Sequence, residues 1–151
     1  MSVVRCITNL SPVFIEGCVV HGFKRGSTLL GCPTANVCTE QLQDKIQHFK
    51  MGVYFGWAKL KDEVFKMIAN IGKNPSFGND KVSVEVHLLH QFDEDFYDEN
   101  LQVLIVGSIR TETKFTSLEE LKRTIHEDCK IAEGLLDEEQ YLSFREFGEF
   151  S

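Results

Sequence analysis

The sequence lacks the patterns that mark several common classes of protein. No C-x-x-C pair occurs among its five cysteines, so neither a zinc site nor a dithiol redox centre is indicated. The G-x-x-x-x-G-K-S/T spacing of a P-loop is absent, as are the H-R-D and D-F-G signatures of protein kinases. An odd number of scattered cysteines is typical of reduced thiols. We therefore expect a cytoplasmic protein without disulfides.

Positive charge and long apolar runs are also scarce. The chain has 16 lysines and arginines against 23 acids, a net charge of −7, and acids cluster between Asp93 and Glu99. Such a balance argues against a nucleic-acid partner, because a protein must neutralise phosphates to bind one. The N-terminal apolar run is too short for a signal peptide, and no window has the length of a membrane span. We expect no membrane partner.

The length and composition are those of one globular domain. A chain of 151 residues with 42% hydrophobic residues can bury a core without a disulfide or a metal. No internal repeat, low-complexity tract or linker divides it. We therefore predict a single domain over residues 1–151.

Alternating and β-branched residues predict a mostly β fold. Connections such as Lys61-Asp62-Glu63 are short enough for antiparallel hairpins, and closure into a barrel would remove exposed strand edges. We therefore predict a small Greek-key barrel. The predicted strands are Phe14–Val20, Gly52–Leu60, Val64–Ile71, Val82–Leu89 and Leu101–Arg110.

A single amphipathic helix is predicted near the C-terminus. Ser117-Leu118-Glu119-Glu120 has the pattern of a capping box, which marks a helix start. Apolar residues then recur at helical spacing, at Leu118, Leu121, Ile125, Cys129, Ala132 and Leu136.

The segment from His21 to Asn36 differs from the rest of the chain. It contains three glycines in ten residues, with Lys24 and Arg25 between them, so its N–H groups could turn toward phosphate oxygens. A flexible surface loop explains the same composition. Thr34 and Asn36, two residues apart, would project to one side of an extended segment and could meet a hard cation. They could equally satisfy backbone groups of a turn.

The strand predicted at Val82–Leu89 carries a candidate catalytic acid. Val82, Val84, Val86 and Leu88 share one face, and Ser83, Glu85 and His87 share the other. Glu85 is either a solvated surface carboxylate or a general base. A three-residue offset points His87 and His90 to opposite faces of a strand, so we reject a zinc site there.

Six motifs along the chain have the order and spacing of one family. They are G-F-x-R-G-S, G-x-P-T-A-N, G-V-Y-x-G-W-A, I-G-x-N-P, V-E-x-H-x-x-H-x-F-x-x-D-F-Y and R-x-E-x-x-F-x-S-L-E-x-L. Over residues 16–136 the chain resembles eukaryotic, monofunctional riboflavin kinase. The resemblance implies a closed six-stranded antiparallel barrel with a C-terminal helix. It also implies transfer of the γ-phosphate of ATP to the 5′-hydroxyl of riboflavin, giving FMN and ADP.

The resemblance also implies a role for individual residues. Glu85 would be the general base, and Mg²⁺ would be bound near Thr34 and Asn36. Residues 22–31 would form a first flap over ATP, residues 110–115 a second flap over the flavin, and residues 70–79 a further substrate-side loop. ATP would contact Gly22, Thr28, Thr34, Asn36, Leu88, His90 and Tyr97, and the flavin would contact Arg110, Thr113 and Phe115.

Several positions depart from the family pattern. Thr28 stands where relatives often have lysine, and Lys24 stands where they often have glycine, so the positive charge near phosphate has moved. Thr111 replaces the usual proline of R-P-E, which removes a fixed φ angle from the second flap. Thr113 replaces a frequent lysine. These changes bear on flavin affinity.

Two other classes of function compete with a kinase. One is a non-catalytic barrel that binds a flavin or nucleotide, for which Glu85 and the P-T-A-N segment would be unnecessary. The other is an interaction module, which leaves the glycine-rich segment unexplained. ATP and riboflavin are the expected partners of a monomeric enzyme, and we expect it to make no FAD because no nucleotidyl-transferase pattern occurs.

Overall fold

The computed structural model describes residues 3–20, 34–38, 46, 49–73, 82–89 and 100–146. Two helices and a short 3₁₀ helix follow the strands: α1 (Leu118–Leu135), α2 (Glu139–Leu142) and Ser143–Glu146. The strands are β1 (Thr8–Val20), β2 (Thr34–Val37), β3 (Gly52–Leu60), β4 (Glu63–Lys73), β5 (Val82–Leu88) and β6 (Asn100–Thr111).

All strand pairs are antiparallel, and their order closes on itself. The order is β1-β2-β5-β4-β3-β6, and β6 in turn pairs with β1, which makes a barrel. The seam between β1 and β2 is the shortest, with two residue pairs, Val19 to Val37 and Val20 to Asn36. The predicted antiparallel, mostly β architecture with a C-terminal helix is confirmed.

Alternation predicts every described strand except β2. The strand prediction Gly52–Leu60 matches β3, while β1 and β4 extend beyond their predicted bounds. β2 escapes prediction because four residues are too few to display a period. Between β3 and β4, the predicted hairpin turn is present, and its first residue, Lys61, has a φ of 58°.

Two apolar clusters hold the barrel together. The interior cluster is built from side chains that alternate inward, among them Ile15, Tyr54 and Leu88. The outer cluster lies between the barrel and α1 and includes Phe55 and Trp57. Burying a large side chain of this kind contributes about 1.5–3 kcal/mol, so the helix is held by packing more than by its own propensity.

Glycines allow the strands of the barrel to approach closely. A Cβ on Gly56 would lie 1.9 Å from the carbonyl oxygen of Leu104, and one on Gly52 would lie 2.3 Å from that of Arg110. Both glycines belong to the G-V-Y-x-G-W-A motif, so the structure explains why its first and fifth residues are glycine.

The start of α1 follows the predicted cap. The Ser117 hydroxyl accepts a hydrogen bond from the Glu120 backbone N–H, as the capping pattern predicts. Cys129, Ala132 and Leu136 are buried in the outer cluster. The expectation that Leu118 belongs to this stripe is wrong, because its side chain is 53% exposed at the first turn, beyond the edge of the barrel.

Membrane-spanning helices and disulfides are both absent from the described residues. None of the helices in this part of the chain is long and apolar enough to cross a membrane. Cys6, Cys18 and Cys38 are exposed and Cys129 is buried, and none of these four forms a disulfide.

Candidate active site

One row of paired residues crosses five strands and connects the two predicted halves of the site. Asn36 of β2 pairs with Glu85 of β5, and Glu85 also pairs with Asn70 of β4. Asn70 pairs with Val53 of β3, and Val53 pairs with Arg110 of β6. Directly paired residues lie on the same face of a sheet. The row therefore places the predicted metal-binding, catalytic and flavin-binding positions on one face.

This row lies on the outside of the barrel. Val53 belongs to the outer cluster, whereas Val84 and Val86, on either side of Glu85, belong to the interior cluster. Asn70 is exposed. Neighbouring strands are about 4.8 Å apart, so the three strand steps from Glu85 to Arg110 span about 14 Å of the barrel surface. The span is accessible at Glu85 and Asn70, whereas Val53 is buried in the outer cluster and Arg110 is buried against the helix.

Glu85 combines partial exposure with a fixed neighbour. Its side chain is 28% exposed, and its Oε1 lies 3.2 Å from Nε2 of His87. The prediction that Glu85 lies away from the apolar face is consistent with this placement. His87 lies on the same face but is only 1% exposed, because it pairs with Ile68, which belongs to the outer cluster.

The P-T-A-N segment contributes β2, the strand that pairs with β5 next to Glu85. The backbone of β2 pairs Thr34 with His87 and Asn36 with Glu85. The side chains of Thr34 and Asn36 lie outside the described part of the structure. A threonine hydroxyl and an asparagine amide oxygen are oxygen ligands of the type that Mg²⁺ prefers, and Mg²⁺ commonly takes few protein ligands together with phosphates and water. The residue types at these paired positions therefore fit the expected ion.

Within the described residues, no three His, Cys, Asp or Glu side chains gather to hold a metal ion. This result does not address a magnesium site of the expected kind, since such a site relies on threonine, asparagine and phosphate oxygens.

At the other end of the row, Arg110 is held by a buried ion pair. Its Nε donates to both oxygens of Asp128 at 3.2 and 3.0 Å, and its Nη2 donates to Oδ2 at 2.8 Å. Asp128 is completely buried in α1, and Arg5 donates to its Oδ1 at 3.0 Å. Arg5 also donates to the carbonyl oxygen of Thr124. The pair therefore connects the N-terminal segment, β6 and α1.

Two bulges in the pairing of β6 with β3 determine the face of the barrel on which Arg110 lies. Register shifts between β3 and β6 fall between Val53 and Tyr54 and between Phe55 and Gly56. Each such bulge inserts a residue and reverses the alternation of the faces. Because two bulges occur, the end of β6 returns to the outer face, where Arg110 meets α1. A single bulge would turn Arg110 toward the barrel interior.

The remaining described positions of the predicted site have distinct surroundings. The Arg110 guanidinium carbon lies 5.7 Å from the centroid of the Phe115 ring, a cation–π distance. The Thr113 hydroxyl donates to the carbonyl oxygen of Thr111 within its own loop. Leu88 is completely buried in the interior cluster, so any contact with a nucleotide at this position would involve its backbone. Its predicted role stays a prediction.

A cavity opens beside Arg110. Its volume is about 650 Å³, within the range of small-molecule sites, and burial raises the pKa of Tyr54 in its wall. The Tyr54 hydroxyl donates to the Lys50 carbonyl oxygen at 2.5 Å. Arg110 of the row also lines this cavity, but Tyr54 belongs to the interior cluster and Val13 packs against it, so the cavity lies toward the barrel interior. Mostly apolar and aromatic residues line it: Val4, Cys6, Thr8, Leu10, Ser11, Val13, Phe49, Lys50, Met51, Tyr54, Ser108, Arg110 and Thr111.

Four predicted nucleotide-binding residues lie outside the described residues. They are Gly22, Thr28, His90 and Tyr97. Their roles stay predictions.

Sequence reasoning overlooks two residues of this region. Asp128 falls on the helical stripe with Leu121, Ile125 and Ala132, and an acid among apolar residues is a signal that could have identified it. Arg5 carries no such signal, because its position follows from long-range pairing.

The substrate-side loop expected at residues 70–79 is wrong at its start, because Asn70 and the three residues after it belong to β4 and pair with β5. Residues 74–79 lie outside the described part of the chain.

Comparisons with known proteins bear on the whole chain. The family model for flavokinase, described as riboflavin kinase, matches residues 10–136. The human riboflavin kinase is 43% identical over 136 residues, which cover 89% of this chain and 88% of that protein. A crystal structure of riboflavin kinase from Trypanosoma brucei matches with a TM-score of 0.75 and 29% identity, over 93% of this chain and 90% of the other.

A bifunctional riboflavin kinase/FMN phosphatase of Arabidopsis thaliana is 50% identical over 137 residues. The match covers 90% of this chain but only 36% of the Arabidopsis protein. This chain therefore spans about a third of that relative.

Proposed function

The chain belongs to the riboflavin kinase family, and we propose that it transfers the γ-phosphate of ATP to the 5′-hydroxyl of riboflavin, giving FMN and ADP. The observation that carries this proposal is the row from Asn36 through Glu85 and Asn70 to Arg110. A phosphotransferase needs a phosphate side, an acceptor side and a base between them. The row has a candidate for each: Asn36 on the phosphate side, Glu85 as the base, and Asn70 and Arg110 on the acceptor side.

In this proposal, the ribityl chain of riboflavin is directed toward Glu85 and its ring lies on the side of Arg110. Phe115 would contact the ring together with Arg110, and Thr113 would contribute from the same loop. Asn70 would donate to or accept from ribityl hydroxyls, because it is exposed and stands between the two ends. This contact is not implied by the motifs. It follows from the strand register.

Glu85 would act as the general base. Its carboxylate would accept the proton of the 5′-hydroxyl as the new bond forms between that oxygen and the γ-phosphorus, while the bond from the γ-phosphorus to the ADP oxygen breaks. Such transfer depends mainly on positioning and on neutralising charge. Thr34 and Asn36 would hold Mg²⁺ together with ATP phosphates, and the ion would supply that neutralisation. Gly22, Thr28, Leu88, His90 and Tyr97 would complete the nucleotide side.

The number of strands in the barrel and the number of domains are also proposed. A six-stranded Greek-key barrel forming one domain over residues 1–151 is supported by the closed strand order and by the family match over residues 10–136. We further propose that the enzyme acts as a cytoplasmic monomer. Size-exclusion chromatography with light scattering tests the oligomeric part of this statement.

The direct test is incubation of the protein with riboflavin, ATP and Mg²⁺, followed by chromatographic measurement of FMN, FAD and ADP. We expect equal amounts of FMN and ADP and no FAD. A reaction without riboflavin measures ATP hydrolysis and serves as the control. Binding of both substrates without FMN would favour the non-catalytic barrel, and FAD formation would contradict the proposed product.

A further inference from the structure

His87 is a buried polar residue beside the candidate base. It lies two residues after Glu85 in β5, it is 1% exposed, and its Nε2 is 3.2 Å from Oε1 of Glu85. Its strand neighbours are Thr34 on one side and Ile68 on the other. Its position next to an outer-cluster residue would suit an apolar side chain, which raises the question of why it is histidine.

The 3.2 Å separation lets Nε2 donate to Glu85 when Nε2 carries the proton of the neutral ring, because an ionised carboxylate only accepts hydrogen bonds. In the neutral ring Nδ1 is then an acceptor. Nδ1 is buried and has no hydrogen-bond partner among the described residues. A buried polar atom without a partner is unfavourable for folding and uncommon in native proteins, so it calls for a reason outside stability.

Glu85 supplies such a reason. With one carboxylate oxygen facing His87 and 28% of its side chain exposed, Glu85 has a second oxygen for a substrate hydroxyl. A general base works only when its oxygen lies within hydrogen-bond reach of the proton that it accepts, and small displacements reduce the rate strongly. A rigid, buried donor at Oε1 would restrict the carboxylate to one orientation.

We propose that His87 is a positioning residue that holds Oε1 of Glu85 and leaves Oε2 for the 5′-hydroxyl of riboflavin. This inference rests on the proposed function, in which Glu85 is the base. It gives His87 a role in turnover, not in substrate affinity, and it replaces the rejected idea of a zinc ligand at this position.

The test compares three variants of His87 for kcat, for both KM values and for melting temperature. His87→Leu removes the donor and fits the apolar surroundings, so we expect kcat to fall about tenfold to a hundredfold, with both KM values within about twofold and no loss of melting temperature. His87→Gln carries its amide nitrogen close to the position of Nε2 and should restore most of the turnover. His87→Asn carries it near Nδ1 instead and should behave like His87→Leu.

Combining His87→Leu with Glu85→Gln shows whether His87 affects turnover through Glu85. If His87 acts through Glu85, the double variant His87→Leu/Glu85→Gln should turn over no more slowly than Glu85→Gln alone. Independent, multiplied losses in the double variant would overturn the inference. Equal kcat values for His87→Gln and His87→Asn would also overturn the inference. This comparison tests the inference even if His87→Leu fails to fold.

The same measurements separate this inference from the proposal beneath it. Near-normal turnover of Glu85→Gln would overturn the assignment of Glu85 as base, and the role of His87 with it. A large loss in Glu85→Gln together with an unchanged kcat in His87→Leu would overturn the role of His87 alone.

Discussion

Two carboxylates, Glu85 within the row and Asp128 against its Arg110 end, have opposite surroundings. Asp128 is fully buried, accepts hydrogen bonds from both Arg110 and Arg5, and fixes the corner between β6 and α1. Glu85 is partly exposed, and the contact that the described residues make with its carboxylate comes from His87. A carboxylate that the protein satisfies completely has no capacity left for a substrate. The comparison therefore assigns a structural role to Asp128 and a chemical role to Glu85.

The largest expected effect is on turnover in Glu85→Gln. The amide keeps the shape of the side chain but cannot serve as a base, so kcat should fall by about 10²–10⁴. Both substrate affinities and the melting temperature should change little, because Glu85 is partly solvated. Steady-state kinetics, ligand titration and thermal unfolding measure these quantities. Loss of melting temperature with normal kcat would place Glu85 in the same structural class as Asp128.

The same change of carboxylate to amide should act on stability at the other end. Asp128→Asn leaves the buried Arg110 without its negative partner and leaves Arg5 with only a 3.8 Å contact to Glu127, and we expect a loss of about 3–5 kcal/mol in the free energy of unfolding. Denaturant unfolding measures it. The matched control is Glu127→Gln, one residue earlier in α1, whose side chain is 52% exposed and which should change stability by no more than about 0.5 kcal/mol. Equal losses of unfolding free energy in Asp128→Asn and Glu127→Gln would contradict a special structural role for Asp128.

Asn36 and Asn70, which flank Glu85 on neighbouring strands, offer a finer comparison. In Asn36→Ala we expect the Mg²⁺ and ATP requirement to rise about tenfold to a hundredfold, because a ligand of a charged group is lost. In Asn70→Ala we expect the riboflavin KM to rise by about tenfold or less, since one neutral hydrogen bond is lost. Varying metal, ATP and riboflavin separately measures both. A riboflavin defect in Asn36→Ala together with a metal and ATP defect in Asn70→Ala would mean that the nucleotide and flavin ends of the row are exchanged.

The smallest expected effect concerns an exposed carboxylate that, like Asp128, accepts from two residues. Asn100 and Gln102 donate to Glu16 at 2.6 and 2.9 Å, and these hydrogen bonds lower the pKa of Glu16 from its ordinary value of 4.5. A lowered carboxyl pKa stabilises the fold above pH 4.5, and this contribution is lost as pH falls through the lowered pKa. Solvent screening limits it to about 0.5 kcal/mol.

Glu16→Gln should therefore lower the melting temperature slightly at pH 7, and the difference from wild type should shrink well below pH 4.5. Thermal unfolding at several pH values measures it. A difference that is the same at every pH would show that the charge of Glu16 contributes nothing. A loss as large as that of Asp128→Asn would mean that burial is not what distinguishes the two carboxylates.

Much of the fold could be predicted from the sequence because the relevant signals are local. Alternation in Gly52–Leu60 predicts β3 to the residue, and the capping pattern at Ser117 predicts the start of α1. The same alternation separates Glu85 from the interior, although it says nothing of exposure. β2 is too short for such a signal, and its identity as a strand depends on pairing with β1 and β5.

The arrangement of the site could not be predicted from local sequence patterns alone. The sequence determined the chemical groups and their faces: Glu85 outward on β5, Thr34 and Asn36 two apart, and an amphipathic helix after residue 117. The tertiary structure decided which strands became neighbours, and so which of these groups meet. Two bulges turned Arg110 toward Asp128, and packing against Ile68 buried His87 beside Glu85. The physical reason is that register and burial arise from contacts between residues far apart in the chain, for which no local period exists.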